Sequence, residues 1–92
     1  MKAIDRSRIA GLMERERTTF RQRHARSGQL AGEAKRSLLF GVPMNWMTRW
    51  PGDHAIYVDR AAGAHFWDVD GNEFIDLCLG DTGGMAGHAP KA

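Results

Sequence analysis

The feature that most constrains the fold is the stretch FWDVDGNEFIDL at residues 66–77. Two runs rich in aromatic and β-branched residues flank an Asp-Gly pair, a dipeptide typical of tight hairpin turns. We therefore predict an antiparallel hairpin. Because bulky apolar residues occupy successive positions in both runs, both faces of this hairpin need to be covered by other groups.

A two-residue loop formed by the Asp-Gly pair would fix which side chains share a face of the hairpin. The expected cross-strand pairs are Trp67 with Phe74 and Phe66 with Ile75. An isolated hairpin is at best marginally stable in water, and a 92-residue chain buries only somewhat over about 60% of the surface that its unfolded form exposes. We therefore expect part of the cover to come from outside this chain.

The charge is unevenly distributed along the chain. Residues 1–50 hold eleven Lys and Arg against four Asp and Glu, whereas residues 51–92 hold two against seven. The single cysteine, Cys78, excludes an internal disulfide and cannot form a zinc site alone, which favours a reducing compartment. No apolar run has signal-peptide or membrane-spanning length. We therefore expect a cytoplasmic protein that does not contact a membrane.

Composition divides the chain into three parts and predicts an α+β fold. Residues 1–37 form a helical segment, residues 38–54 a connecting loop, and residues 55–92 a β-meander with a glycine-rich end. The three strands of the meander are predicted to be antiparallel, at residues 56–58, 65–69 and 73–77, with turns at residues 61–63 and 70–71.

The helical segment carries strong helix formers without proline from Asp5 to about Arg26. Ser27-Gly28 is predicted to interrupt this helix, after which helical composition resumes and ends near Ser37. The arginines of this segment could contact nucleic acid or an acidic protein, and a small binding module of that kind is the alternative function. Because glutamates interleave with them and no nucleic-acid-binding signature follows, a solvated helix face is favoured.

Short motifs outside the helix give little support for a metal or nucleophile site. The stretch DVDGNE resembles a calcium loop only superficially, because Leu79 stands where an EF-hand needs its closing Glu. The glycines of residues 80–87 fit neither a dinucleotide nor a phosphate-loop pattern, so a tight turn or a close backbone approach is favoured. The four histidines lack metal-ligand spacing, and a Cys78–His88 nucleophile has no orienting group in the sequence.

The order of the pieces is more informative than any one motif. The pattern G-x-x-x-W/Y-D-x-D-G-x-x-Y/F-I/L-D begins at Gly63 and ends at Asp76, and a glycine-rich stretch then ends in Gly87-His88. In this order the chain resembles the start of class III pyridoxal-phosphate-dependent aminotransferases, especially the branch related to glutamate-1-semialdehyde aminomutase. The resemblance implies the N-terminal part of a fold type I aminotransferase that transfers an amino group on an amino or keto acid.

The resemblance also implies what surrounds this segment. In the family the N-terminal helix and meander lie against the large cofactor domain and the dimer partner, so the remainder of such an enzyme and its dimer mate are the expected partners. The lysine, the acid and the phosphate-binding turn that hold the cofactor come from a later region, and Lys2, Lys35 and Lys91 match none of those motifs. The chain alone is therefore expected to bind no pyridoxal phosphate and to be inactive, so whether it counts as an enzyme by itself stays open.

Three substrate-site candidates follow from the same resemblance. Relatives often carry an Arg or Ser in the loop after the first helix that helps to bind the substrate carboxylate, which points to Arg36 and Ser37. A plain helix C-terminal charge is the alternative for Arg36. Many relatives place an aromatic where this chain has Asp81, so Asp81 is the third candidate and the substrate class stays open.

Overall fold

The computed structural model of the chain describes residues 3–49, 51–80 and 83–91. Its strands form one antiparallel sheet in the order β1-β2-β3, so the predicted α+β fold with a three-stranded meander is confirmed. Among the described residues no helix is long and apolar enough to cross a membrane. The elements are α1 Arg6–Arg23, α2 Ala25–Ala34, 3-10 turns at Leu39–Gly41 and Asn45–Thr48, β1 Val58–Ala62, β2 His65–Asp68 and β3 Glu73–Ile75.

The helical segment breaks at His24, so the predicted interruption at Ser27-Gly28 is wrong. His24 leaves the helical region, with φ −126° and ψ 36°, whereas Ser27 and Gly28 lie inside α2. Both are small residues at a point of close approach. The Ser27 hydroxyl accepts a hydrogen bond from the Tyr57 amide at 3.0 Å, and a Cβ on Gly28 would lie 3.0 Å from Nε2 of His54. Tertiary contact therefore outweighs their low helix propensity.

The β2–β3 hairpin closes over three residues, 69–71, where two were predicted. The Asp68 amide donates to the Asn72 carbonyl at 3.0 Å, and Gly71 takes the left-handed conformation with φ +84° at the last loop position. The additional loop residue shifts the register by one. Phe66 therefore pairs with Phe74 and Trp67 with Glu73, and the expected pairs Trp67–Phe74 and Phe66–Ile75 are wrong.

The β1–β2 hairpin also differs in detail from its prediction. Strand β1 begins at Val58, two residues later than predicted. It continues through Ala61 and Ala62, which were predicted to form the turn. The turn falls instead at Gly63-Ala64, because Gly63 adopts φ +59°, which glycine reaches without the strain of a side chain. The register shifts between Val58 and Arg60, which marks a bulge in this edge strand.

The break between the helices covers one face of the meander. The Phe66 and Phe74 rings stack on this face, with centroids 4.9 Å apart, and the His24 ring lies 6.0 Å from Phe74. Phe20 continues the contact, because its ring lies 4.7 Å from His24 and 4.9 Å from that of His54. These aromatic rings replace an aliphatic core, since no hydrophobic side chain among the described residues is buried.

The opposite face of the meander has much thinner cover. The guanidinium of Arg60 lies 3.7 Å from the centre of the Trp67 ring, and Ile75 on the same face is 66% exposed. The whole molecule is correspondingly open. Its Cα radius of gyration is 16.3 Å, whereas a compact chain of this length would measure about 12 Å.

Candidate functional site

The tip of the β2–β3 hairpin docks on the break between α1 and α2. The first amides of α2 have no side-chain cap from their own N-terminus. Asp70 supplies it from the hairpin, since its carboxylate oxygens accept hydrogen bonds from the Arg26 amide at 2.7 Å and the Ser27 amide at 3.0 Å. An acidic cap suits the positive end of a helix dipole. We call the residues of this contact the junction cluster: His24, Ser27, Asp68, Asp70 and Asn72.

Asp68 is the buried centre of the junction cluster. Its carboxylate accepts hydrogen bonds from the Asp70 amide at 3.0 Å, from the Asn72 amide at 2.8 Å and from the Asn72 side chain. Nδ1 of His24 lies 2.9 Å from its second oxygen. Burial acts to raise the pKa of Asp68, but the hydrogen bonds from Asn72, His24 and Asp70 outweigh it and hold that pKa below its ordinary value.

Asn72 ties the same hairpin tip to the end of α1. Its side-chain Nδ2 donates to the Arg23 carbonyl at 2.8 Å, which is one of the carbonyls left without a helical partner at the C-terminus of α1. The hairpin tip thus satisfies backbone groups on both sides of the break. The pattern Asp-x-Asp-Gly-Asn predicted only a turn, and the absence of a capping side chain before Ala25 is the signal that could have indicated this contact.

The junction cluster is a structural contact with metal-compatible atoms. Donor atoms of His24, Asp68 and Asp70 lie within 4.8 Å of one another. These carboxylate oxygens already accept backbone or side-chain hydrogen bonds, and no buried side-chain nitrogen or oxygen among the described residues lacks a partner. The stretch forms a hairpin turn, as predicted, between β2 and β3.

The substrate-site candidates Arg36 and Ser37 lie in the turn that follows α2. Their amides donate to the carbonyls of Glu33 at 3.0 Å and Ala34 at 3.2 Å, which continues the helical turn past the last residue of α2. Both side chains are exposed, and neither forms a side-chain hydrogen bond or ion pair within the described part of the chain. Asp81 lies outside the described residues, so the three candidates cannot be placed around one site.

A cleft of about 190 Å³ opens beside this turn, and its lining includes Lys35, Phe40 and Asp53. Phe40 has φ +58°, which is unusual for a residue with a side chain, and Gly41 follows with φ +75°. Sequence reasoning did not single out Phe40, because a positive φ at a phenylalanine leaves no signal in composition. The cleft is therefore shaped by backbone geometry that the sequence pattern does not reveal.

The cleft does not fit pyridoxal phosphate. Its volume is below the roughly 300 to 1,000 Å³ typical of cofactor pockets. Asp53, the carboxylate in its wall, is paired with Arg21 at 2.7 Å between Oδ2 and Nε. Lys35 occupies the C-cap position of α2 and lines the cleft, and Lys91 is exposed near the end of the chain.

A second polar contact joins the segment of residues 83–91 to the meander. His88 forms an isolated bridge with Gly63, through amide-to-carbonyl hydrogen bonds of 2.8 and 3.0 Å, and its Nε2 lies 2.7 Å from Oδ2 of Asp76. A Cβ on Gly87 would lie 3.2 Å from the Gly63 backbone, and one on Gly84 would overlap the Leu79 carbonyl. The prediction that these glycines permit a close backbone approach is confirmed.

The basic helix α1 uses part of its charge within the chain. Arg21 pairs with Asp53 and lies 3.7 Å from Glu14, and Arg23 contacts the Asn72 side chain at 3.4 Å. Arg6, Arg8, Arg15 and Arg17 have no ion pair among the described residues, and they follow the helix on more than one side. This distribution does not single out one phosphate-binding face.

Comparisons with known proteins relate this architecture to one group of enzymes. No protein-family model matches the chain. Glutamate-1-semialdehyde 2,1-aminomutase of Thermoplasma acidophilum is 45% identical over 53 residues, which are 58% of this chain and 13% of that protein. The crystal structure of a glutamate-1-semialdehyde-aminomutase from Pseudomonas aeruginosa PAO1 matches 99% of this chain and 20% of its own, with a TM-score of 0.85 and 41% identity.

The chain is similar to the N-terminal segment of class III pyridoxal-phosphate-dependent aminotransferases. A second structure of the Pseudomonas protein, in complex with PMP, matches this aminotransferase-like segment with a TM-score of 0.83. A β-phenylalanine aminotransferase from Variovorax paradoxus shares the fold over 89% of the segment and 19% of its own chain, with a TM-score of 0.79 and 20% identity. The segment therefore spans a fifth or less of the length of these relatives.

Proposed function

We propose that the aminotransferase-like segment serves as the N-terminal part of a pyridoxal-phosphate-dependent class III aminotransferase or aminomutase in the cytoplasm. Such an enzyme would transfer an amino group on an amino or keto acid, and the segment alone would be inactive. The observation that carries the proposal is the match of 99% of the chain to an aminomutase structure at 41% identity. The PMP complex of that protein supports pyridoxal phosphate as the cofactor of the completed enzyme.

The proposed partners are the remainder of such an enzyme and its dimer mate. The exposure of large apolar side chains supports this assignment, since Leu39 is 78% exposed and Leu77 is 94% exposed. The three predicted parts of the chain would then have different roles. Residues 1–37 and 55–92 would pack against the rest of the enzyme, and residues 38–54 would connect them beside the substrate.

Within this enzyme we propose that Arg36 and Ser37 contact the substrate carboxylate. The guanidinium of arginine is planar and always charged, so it can bind a carboxylate through two parallel hydrogen bonds. The Arg36 side chain is exposed and has no ion pair among the described residues, so it is available for this contact. Asp81 would be a further substrate contact, and its carboxylate would favour a substrate with an amino group at that point.

A chimeric enzyme tests the proposal. The segment would replace the matching residues of the Pseudomonas aminomutase, and amino transfer would be compared with that of the parent enzyme and of the enzyme without the segment. We expect activity in the chimera and none in the truncated enzyme. The isolated segment mixed with pyridoxal phosphate should show no lysine-dependent change in cofactor absorbance. An inactive, correctly folded chimera would contradict the proposal.

The same chimera tests the role of Arg36. Loss of a hydrogen bond to a charged group costs about 1.5 to 3 kcal/mol, so Arg36→Ala should raise the KM for a carboxylate substrate by roughly tenfold to a hundredfold. Arg15→Ala, an exposed arginine of α1 without an ion pair among the described residues, is the matched control and should leave KM unchanged. Equal KM values in both variants would mean that Arg36 does not bind the substrate and acts only as a charge at the C-terminal end of the helix.

A further inference from the structure

The loop between α2 and β1 holds another cleft, which is lined by residues of both 3-10 turns. Its volume is about 420 Å³, within the roughly 300 to 1,000 Å³ typical of small-molecule sites. We call it the loop cleft, and its lining consists of Phe40, Asn45, Trp46, Thr48 and Arg49. It differs from the smaller cleft beside Lys35, although Phe40 and Thr48 line both.

Two aromatic rings of the loop cleft are left in solvent. Phe40 is 66% exposed and Trp46 is 60% exposed, and neither ring packs on another aromatic ring among the described residues. The rings of Phe20, Phe66 and Phe74, in contrast, all belong to the aromatic cover of the meander. Because aromatic rings attract other rings through their faces and edges, the two exposed rings can bind an aromatic group that enters the cleft.

The backbone holds Phe40 in a conformation that disfavours a side chain. Its φ of 58° and ψ of 12° lie in the left-handed region, where glycine is the usual residue. The chain reversal is fixed on its far side, because Gly41 is buried and a Cβ on it would lie 3.0 Å from Cγ of Lys35. Strained residues of this kind cluster at ligand-binding sites. A glycine at position 40 would satisfy the backbone, so the fold does not account for the phenylalanine ring.

Arg49 forms the charged wall of the loop cleft. It follows the second 3-10 turn, and its guanidinium has no hydrogen bond or ion pair within the described part of the chain. A guanidinium is planar and stacks on aromatic faces, as that of Arg60 does on Trp67 at 3.7 Å. The Thr48 hydroxyl donates its proton to the Asn45 carbonyl at 2.7 Å, within the loop itself. The lining therefore suits an aromatic ring better than an aliphatic chain.

We propose that the loop cleft binds the aromatic side chain of the substrate, so that the completed enzyme acts on an amino or keto acid that carries an aromatic ring. The inference rests on the proposed function, in which Arg36 and Ser37 contact the substrate carboxylate. Phe40 follows Arg36 by four positions, so the two contacts lie on one continuous stretch of chain. Phe40 and Trp46 contact the substrate ring, and Arg49 stacks on it.

Ligand titration of the full chain, followed by NMR, tests the loop cleft without cofactor or catalysis. Phenylacetate should shift the amide signals of residues 40–49, cyclohexylacetate should bind several-fold more weakly because it has no π face, and acetate should cause no shift at the same concentration.

Variants of the same chain identify the ring that binds. Phe40→Gly should weaken phenylacetate binding roughly tenfold, because one aromatic wall is lost. It should not lower the thermal midpoint, since glycine reaches this φ without strain. Met44→Ala is the matched control, because Met44 is a half-exposed apolar residue of the same loop that does not line the cleft. Equal binding of phenylacetate and cyclohexylacetate, or unchanged binding in Phe40→Gly, would overturn the inference.

The chimeric enzyme gives a second readout. Phe40→Gly should lower kcat/KM for phenylalanine roughly tenfold relative to kcat/KM for alanine, because only the larger substrate reaches the ring. An equal reduction for both amino acids would overturn the inference, since the ring would then only pack against the rest of the enzyme. An inactive, folded chimera would contradict the proposed function, whereas ring-dependent binding by the chain would still support the loop cleft as an aromatic site.

Discussion

At the residue scale, two aspartates of one turn have different roles. Asp70 reaches outward to the first amides of α2, whereas Asp68 turns inward and collects hydrogen bonds from its own hairpin and from His24. Each role can be removed separately by one substitution. Asp59 on β1 is a suitable reference, because it is exposed and forms no side-chain hydrogen bond or ion pair among the described residues.

The cap supplied by Asp70 gives the first prediction. Asp70→Ala should lower the free energy of unfolding by about 0.5 to 2 kcal/mol, the usual cost of removing a helix N-cap, because the Arg26 and Ser27 amides lose their acceptor. Urea denaturation followed by circular dichroism would measure it. Asp59→Ala should change stability by less than about 0.5 kcal/mol. Equal effects of the two substitutions would mean that the cap does not stabilise α2.

The ionisation of Asp68 gives a prediction about acid. Its folded-state pKa lies below the ordinary value of 3.8, so the stability that it contributes is present above that value and is lost as pH falls through the folded pKa. The free energy of unfolding should therefore decline below about pH 4. In Asp68→Asn this decline should be smaller than in Asp59→Asn. Parallel acid profiles for the two variants would contradict the hydrogen-bonded carboxylate at Asp68.

At the element scale, the fit between α2 and the loop that precedes β1 depends on small side chains. A Cβ on Gly28 would meet the His54 ring at 3.0 Å, whereas a Cβ on Gly32 would meet nothing within 4 Å. Alanine is favoured over glycine in a helix interior by roughly 0.5 to 1 kcal/mol. The two glycines of one helix therefore separate intrinsic helix propensity from packing.

This pair gives the third prediction. Gly32→Ala should stabilise the chain by about 0.5 to 1 kcal/mol, because it gains helix propensity without a new contact. Gly28→Ala should gain less or lose stability, since the His54 ring has to move. Thermal melts of both variants would compare them. A larger gain for Gly28→Ala would show that α2 does not approach His54 closely.

The same elements show how far sequence reasoning reaches. The N-terminal helix and the number and order of the strands follow from local composition and were predicted correctly, whereas the bounds of β1 were not. The break at His24 was not, because the carboxylate that contacts the His24 ring there lies 44 positions further along, and no local pattern contains that contact. The hairpin register failed for a different reason. An Asp-Gly pair fits both two-residue and three-residue loops. The two loops differ only in whether residue 69 belongs to the loop or to the strand.

The candidate site could be predicted only from the resemblance. Arg36 and Ser37 lie in the turn after α2, and their contact with a substrate stays a prediction. The aromatic contacts of His24 and the pairing of His88 with Asp76 had no sequence signal, since the partners lie on separate elements. Spacing rules detect sites built on one element, and these contacts are built on several.

At the scale of the whole molecule, the chain has a polar and aromatic interior with apolar side chains on its surface. His24, Ser27 and Asp68 are the buried polar residues among those described, while Leu39 and Leu77 are largely exposed. This is the reverse of the usual distribution in a small domain. The helix break covers the Phe66 face of the hairpin and leaves the Ile75 face thinly covered.

This surface predicts self-association of the isolated chain. Sedimentation velocity should show an apparent mass that rises with concentration, because exposed apolar patches mark contact sites. Leu39→Ser should reduce the association, and Ala86→Ser, at an exposed position with a small side chain, should not. An apparent mass that stays monomeric at all concentrations, together with a cooperative melt, would contradict this prediction. It would show that the contacts within the chain are sufficient for a stable fold.

The cap on α2 also bears on the order in which the chain folds during synthesis. A ribosome releases the chain from its N-terminus, and the carboxylate that caps α2 lies 44 residues beyond the Arg26 amide that it binds. Until the hairpin tip emerges, the first turn of α2 has only water for its amides, and a ten-residue helix without tertiary support is marginal. The second helix and the hairpin therefore become stable together, once Asp70 has been synthesised.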